Sequence, residues 1–446
     1  MPGVPLIAGA AADTAVAWRG GRAISAAQYL ADAAQLAALL PARSHVLNAC
    51  ADRYRFAVGL AAALLRGQVT LLPPDQTPQT VRRLREFAAD AYVLADDAAA
   101  AIELPQVAAP PDPAPLPPAF TVPSIPHAQL CAIVFTSGST GAPVPNLKHW
   151  GTLARNVGGA LERWGLAGAR AALLGTVPPQ HMYGFESTVL AALFGAGALC
   201  AERPFFADDV CAALERLPRP RVLVTAPFHL RALLEDVAHP PAVDLLLCAT
   251  APLEAELAAL AEARFGAGLL EIYGCTETGQ MATRRTARES EWRTLPGIRV
   301  EQRAAGAWAS GGHIEQPTAL GDVLEPLAPD RFLLRGRVSD MVNIAGKRSS
   351  LAHLEAQLRA IDGVADGVFF MPEEHPAGGV TRLAAFVVAP GLARETLLAE
   401  LRRRIDAAFL PRPLVLLERL PRAPSGKLPR AALRELARAH GLRSAS

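Results

Sequence analysis

Short apolar runs bounded by Gly, Pro and small polar residues recur along the chain, with longer stretches of apolar residues at helical spacing between them. Ala15-Val16-Ala17-Trp18 followed by Arg19-Gly20-Gly21-Arg22 predicts a short hairpin. Ser25 is placed to cap a helix running to about Leu40. His45–Asn48 predicts a strand, Tyr54–Leu65 an Ala- and Leu-rich buried helix, and Gln68–Leu72 a strand stopped by Pro73 and Pro74. This β-α-β rhythm implies a parallel sheet covered by helices. The Pro- and Ala-rich residues 105–126 are expected to form an irregular surface connector. Alternation then resumes, with strands expected at Ala171–Thr176, Val222–Thr225 and Asp244–Ala249 and helices between them. Residues 284–335 carry Gly, Pro and short strand patterns, consistent with a smaller β-rich unit. Beyond 340, strands at Gly367–Met371 and Arg382–Val388 alternate with helices at 351–361 and 394–409.

A chain of 446 residues is long for a single core, and a hydrophobic content of 51% supplies a large interior. The net charge of +2, with basic and acidic residues interspersed, leaves no electrostatic footprint for nucleic acid. Cys50, Cys131, Cys200, Cys211, Cys248 and Cys275 are scattered without Cys-x-x-Cys spacing, which argues for reduced, mostly buried thiols rather than disulfides or a zinc site. The N-terminus has no basic-then-apolar signal pattern, and no apolar run reaches spanning length, so a cytoplasmic protein without membrane insertion is expected.

Candidate chemistry starts at Ile133-Val134-Phe135, which runs straight into Thr136-Ser137-Gly138-Ser139-Thr140-Gly141. A strand ending in Gly, Ser and Thr can turn successive amides and hydroxyls towards one anion, and phosphate is the natural guest; a plain flexible turn has the same composition. The run is not a Walker A element. Further along stand Pro178-Pro179-Gln180-His181-Met182-Tyr183-Gly184, Ala249-Thr250-Ala251-Pro252-Leu253, Glu271-Ile272-Tyr273-Gly274-Cys275-Thr276-Glu277, Gly321-Asp322-Val323, Arg335-Gly336-Arg337-Val338-Ser339-Asp340, Val342-Asn343-Ile344-Ala345-Gly346-Lys347 and Pro424-Ser425-Gly426-Lys427. Each alone also fits an ordinary turn or bend.

Taken in order, from about residue 14 to 436, these segments resemble the adenylate-forming superfamily of acyl- and aryl-CoA synthetases, peptide-synthetase adenylation domains and luciferases. The resemblance implies an α/β fold: a large N-terminal domain (1–338) of helix-covered β-sheets with a small β-rich subdomain, plus a small mobile C-terminal α+β domain (339–446). It implies that Thr136 to Gly141 bind the phosphates of ATP. Thr250, Ala251 and Pro252 would shape the adenine pocket, with Tyr273 against the base. Thr276 would donate to the α-phosphate, and Glu277 would hold Mg2+ together with phosphate oxygens, as suits a hard cation. Asp322 and Arg337 would bind the ribose. His181, Phe228, Ala249 and Gly274 would surround the acid. Ser339 would be the hinge, Gly346 would line the phosphopantetheine tunnel, and Lys427 would swing in to orient the carboxylate and offset charge as pyrophosphate departs.

The chain departs from the family pattern after the phosphate loop. Val144 stands where the usual lysine does, and Lys148 follows four positions later, where a displaced ammonium could serve the γ-phosphate instead. With Pro145 and Trp150, this continuation resembles small ligases of aryl polyene and xanthomonadin-type pigment pathways, which load a hydroxybenzoate or related aryl acid onto an acyl carrier protein. A CoA ligase and a catalytically silent nucleotide-binding scaffold are the alternatives. Arg402, Arg403 and Arg404 are candidates for a carrier-docking patch.

Overall fold

Apolar residues surround Arg53–Leu65 on every side, and such a helix needs cover all round. In the computed structural model it touches strands His45–Asn48 and Val69–Leu72 of one sheet and Gly197–Cys200 of another, so it is the filling between two layers. The structure describes residues 3–96, 102–110, 113–137, 143–304, 306–337, 341–344, 347–372, 382–423 and 428–442. They form two compact units, one of Met1–Arg299 with Ala309–Thr318, the other of Val300–Trp308 with Ala319–Ser446.

In the first unit a six-stranded sheet runs in the order Pro143–His149, Leu130–Ser137, Val69–Leu72, His45–Asn48, Tyr92–Ala95, Gln106–Ala108. It is parallel except for the antiparallel hairpin of Leu130–Ser137 and Pro143–His149. A second large sheet has a parallel centre, Gly197–Cys200, Ala171–Gly175, Arg221–Thr225, Leu245–Cys248 and Gly268–Cys275. Gly279–Arg284 then adds antiparallel to Gly268–Cys275. The central strands are buried nearly throughout, as parallel strands covered on both faces must be. Val210, Leu214, Leu230, Leu233, Leu257 and Phe265 are among the helix residues that cover one face. This is the mixed α/β fold of helix-covered sheets that the sequence predicts. The hairpin Ala15–Arg19 with Arg22–Ser25 forms as expected, and Ser25 Oγ caps the helix Ala26–Leu39 by accepting from Gln28 N at 3.2 Å.

In the second unit, Asp366–Phe370, Ala384–Val388 and Leu414–Leu416 form a three-stranded sheet accompanied by Leu351–Arg359, Arg394–Arg404 and Arg430–Ala439 as helices. Two expectations need correction. Residues 105–126 lie mostly at the surface as expected but are not irregular throughout: Gln106–Ala108 pairs with Tyr92–Ala95, Ser124–Ile125 pairs with Val4–Pro5, and Ala109, Ala114 and Ile125 are buried. The helix expected over 394–409 ends at Arg404; Asp406 then caps a separate 3-10 turn, Ala407–Phe409, by accepting from Ala408 N at 3.0 Å.

Candidate active site

Register carries four parallel strands to one level at their carboxyl ends: Gly175 lies beside Val224, Thr225 beside Cys248, and Cys248 beside Glu271. The chain therefore leaves the sheet at neighbouring points through Thr176, Ala226 and Ala249, while the fourth strand runs on to Cys275; this is the edge at which open α/β sheets bind ligands. A polar cluster sits there, with Thr176 Oγ1 3.0 Å from Thr225 Oγ1 and 2.9 Å from His229 Nδ1. Phe228, 46% exposed, lies in the first turn of the helix Pro227–Asp236 beside His229, with ring centroids 5.8 Å apart. His181 heads the short helix Met182–Gly184, and Tyr183 in that helix donates its hydroxyl to Leu247 O at 2.9 Å, tying the segment to the neighbouring strand. Arg53 braces the same edge from inside. Its guanidinium donates to the carbonyls of Gly175 and Val177 at 2.9 and 2.8 Å and to those of Cys200 and Glu202 at 3.0 and 2.9 Å.

Thr250 follows the buried Ala249 and has φ +86°, a conformation rare for a β-branched residue. Its Oγ1 is buried without a hydrogen-bond partner among the described residues. Ala251 and Pro252 follow, both exposed, then the buried Leu253, and the helix Ala255–Phe265 begins beyond them. Behind this turn the Glu271 carboxylate accepts from Leu253 N at 3.2 Å, Arg284 Nε at 2.7 Å and Thr286 Oγ1 at 2.6 Å.

The next turn carries Thr276, half-buried, and Glu277, exposed. The strands either side of it nearly touch: a Cβ on Gly274 would lie 2.3 Å from Gly279 O. Gly279 has φ +74°, and a Cβ there would lie 2.1 Å from Asn156 Nδ2 and 2.7 Å from Glu186 Oε1. Tyr273 is buried, with its ring 5.5 Å from that of Trp292. The carbonyls of the turn are taken up from within. Lys148 Nζ donates to Thr276 O, and to Glu277 O at 3.3 Å. His313 Nε2 lies 2.7 Å from Thr278 O, and since a carbonyl only accepts, this nitrogen carries the proton. Burial holds His313 down to about 4, so the ring is neutral near pH 7. Burial also pulls the Lys148 ammonium below the ordinary lysine range, while the charge of Glu186 pulls it back up. Burial pushes the Cys275 thiol up to about 11, which leaves it protonated and inert.

Lys148 belongs to the strand Pro143–His149, paired with Leu130–Ser137, so the hairpin that carries Thr136 is joined to the turn that carries Thr276 and Glu277. Thr136 lies opposite Val144, which is exposed. Ser137 closes its strand, while Gly138, Ser139, Thr140 and Gly141 lie outside the described residues. In the second unit, Asp322 and Arg337 are register partners across the hairpin Asp322–Ala328 with Arg331–Arg337. Ser339, Gly346 and Lys427 lie outside the described residues. Sequence reasoning passed over Arg53, Asn156, Glu186, Gly279 and His313. Only Glu186 carried a readable signal, a lone acid in the largely apolar run from Tyr183 to Phe194.

Among the described residues no group of three or more His, Cys, Asp or Glu side chains could hold a metal by itself. Glu277 presents one exposed carboxylate, a hard oxygen donor of the kind Mg2+ takes together with phosphate oxygens. No helix among the described residues is long and apolar enough to cross a membrane.

Helix-covered parallel strands, with the hairpin of Leu130–Ser137 and Pro143–His149 tied to the Thr276–Glu277 turn, make this a mixed α/β protein. The profile of the AMP-binding enzyme family matches residues 7–301. A 4-coumarate–CoA ligase of Rhodobacter capsulatus is 32% identical over 283 residues, covering 62% of this chain and 68% of its own length. One from Halorhodospira halophila is 28% identical over 303 residues, covering 66% and 73%. The fold matches that of ATP-bound MatB from Rhodopseudomonas palustris with a TM-score of 0.79 at 20% identity, over 95% of this chain and 96% of that one. The chain belongs to the AMP-binding enzyme family, and it is an AMP-forming acid–thiol ligase that adenylates a carboxylic acid with ATP.

Proposed function

We propose that the acid is a small planar aryl acid, such as a hydroxybenzoate, and that the acyl group passes to the phosphopantetheine thiol of an acyl carrier protein. The observation that carries the reading of the site is the joining of the Thr136 hairpin to the Thr276–Glu277 turn; the strained backbone of Thr250 supports it. Strain in a β-branched residue marks a position held by its surroundings for a purpose. Thr136 to Gly141 would receive the triphosphate, Thr250 to Pro252 and Tyr273 the adenine, and Asp322 with Arg337 the ribose. Glu277 would hold Mg2+, which neutralises phosphate charge when bound. Thr276 would donate to the α-phosphate.

A carboxylate oxygen of the acid attacks the α-phosphorus and pyrophosphate leaves; positioning and charge neutralisation do most of the work. Lys427 would orient that carboxylate. After rotation about Ser339, the segment around Gly346 would guide the thiol. Its sulfur attacks the acyl carbon, AMP leaves, and the thiol proton passes to solvent. His181, Phe228, Ala249 and Gly274 offer aromatic and small surfaces suited to a flat, compact acid. The coumarate named for two relatives supports an aryl substrate. Those names also favour a second reading, with free CoA as the acceptor. Arg402, Arg403 and Arg404, in the last turn of Arg394–Arg404, offer basic charge to an acidic carrier, although Arg403 and Arg404 are already paired with Glu400 at 2.6 and 4.0 Å.

Pyrophosphate release from ATP and Mg2+ with a panel of acids tests the first half-reaction. Release is expected with hydroxybenzoates and not with long fatty acids. Competition between CoA and a phosphopantetheinylated carrier then tests the acceptor, with faster thioester formation expected on the carrier. Nucleotide binding without release for any acid would instead indicate a silent scaffold.

A further inference from the structure

Lys148, near the end of the strand Pro143–His149, is buried, only 7% exposed. A buried ammonium is costly unless its charge is met. Here Glu186 and Glu277 both favour the charged form, and Glu186 is itself buried in the π-helical turn Phe185–Leu190, where Asn156 Nδ2 donates to Glu186 Oε1 at 2.8 Å. Lys148 takes the carbonyls of Thr276 and Glu277, and His313 takes that of Thr278. Three successive carbonyls are thus held from the interior by residues distant in sequence. A turn so held has little freedom to reorient the two side chains it presents.

We propose that Lys148 is a positioning residue for adenylation: it fixes the backbone of Thr276 and Glu277 so that hydroxyl and carboxylate meet the triphosphate and its Mg2+ in a single arrangement. This rests on the roles assigned to Thr276 and Glu277 above. It also separates Lys148 from the lysine missing at Val144. Its Nζ already serves two carbonyls, and its place opposite Ala132 is four strand residues, about 13 Å, short of Thr136.

The test compares wild type with Lys148→Met and Lys148→Arg. Because Lys148→Met leaves Glu186 buried without its counter-charge, Lys148→Met/Glu186→Gln is measured against Glu186→Gln as well. Amide hydrogen exchange across 275–280 is expected to quicken about tenfold or more in the Met variants. Pyrophosphate release is expected to lose roughly 10²-fold in kcat, the scale of a misplacement of about 1 Å. The Mg2+ concentration for half-maximal rate should rise, KM for ATP at saturating Mg2+ should hold steady, and Arg should recover part of kcat. A raised KM for ATP with unchanged kcat and Mg2+ dependence would make Lys148 a phosphate ligand and overturn the proposal. Unchanged exchange over 275–280 would overturn it too. If wild type released no pyrophosphate with any acid, the functional reading would fall, while hydrogen exchange would still decide whether Lys148 holds the turn.

Discussion

Arg53 shows what one side chain can do unseen from the sequence, where it reads as a polar residue at the start of a helix. Fully buried, it uses its planar fork to satisfy four carbonyls at once. Burial lowers it to about 10, so it stays charged at neutral pH. Arg53→Leu would strand those acceptors without water and is expected to cost at least about 3 kcal/mol in urea unfolding. An unchanged midpoint would show that solvent reaches the site. Thr250 makes the opposite case, since its residue type is common but its backbone is not. Thr250→Gly should relieve strain and raise stability by roughly 1 kcal/mol, while slowing pyrophosphate release through loss of a fixed wall. A thermal melt and a rate measured on one preparation check both halves. Positive φ at a threonine leaves no trace in the order of residues, so this part of the site was legible as a motif and not as strain.

At the scale of elements, the parallel strands were legible because continuous apolar runs bounded by breakers have few other readings; His45–Asn48, Ala171–Gly175 and Arg221–Thr225 form nearly where expected. The strand Pro143–His149 was not, since Pro143-Val144-Pro145-Asn146-Leu147-Lys148-His149 lacks a clean two-residue alternation and its lysine reads as a candidate phosphate contact, not as a buried strand residue. The same blindness hid the packing of the Phe185–Leu190 turn against helix Trp150–Trp164, where the Glu186 carboxyl is pushed up by burial to about 7. Its folded value lies above the unfolded one of about 4.3, so its share of stability is complete below that pH and is lost as pH rises through about 7. Glu186→Gln, which keeps the acceptor for Asn156, should flatten the fall in Tm over that window. A wild-type slope retained in the variant would assign the pH dependence to another group.

For the whole molecule, the family was legible from the order of several short motifs, each uninformative by itself. A mobile C-terminal domain beyond Ser339 remains our proposal, and it makes a kinetic prediction. Lys427→Ala should cripple adenylation yet leave thioester formation from supplied acyl-adenylate largely intact, because Lys427 would have left the site by then. Rapid-quench measurement of the two half-reactions checks this, and equal losses in both would count against a lysine that acts in only one of them. The compact units, by contrast, could not be read from the sequence, because the chain passes from one to the other at 299–300, returns at 308–309 and leaves again at 318–319.

That interleaving bears on any attempt to shorten the gene. The family profile stops at 301, and a fragment trimmed to it would look complete on paper. It would lack His313, the imidazole that braces Thr278 from the returning segment. A fragment meant to keep this turn braced should therefore extend through Thr318, and one cut at 301 would keep every signature residue of the first unit while losing a brace beneath them.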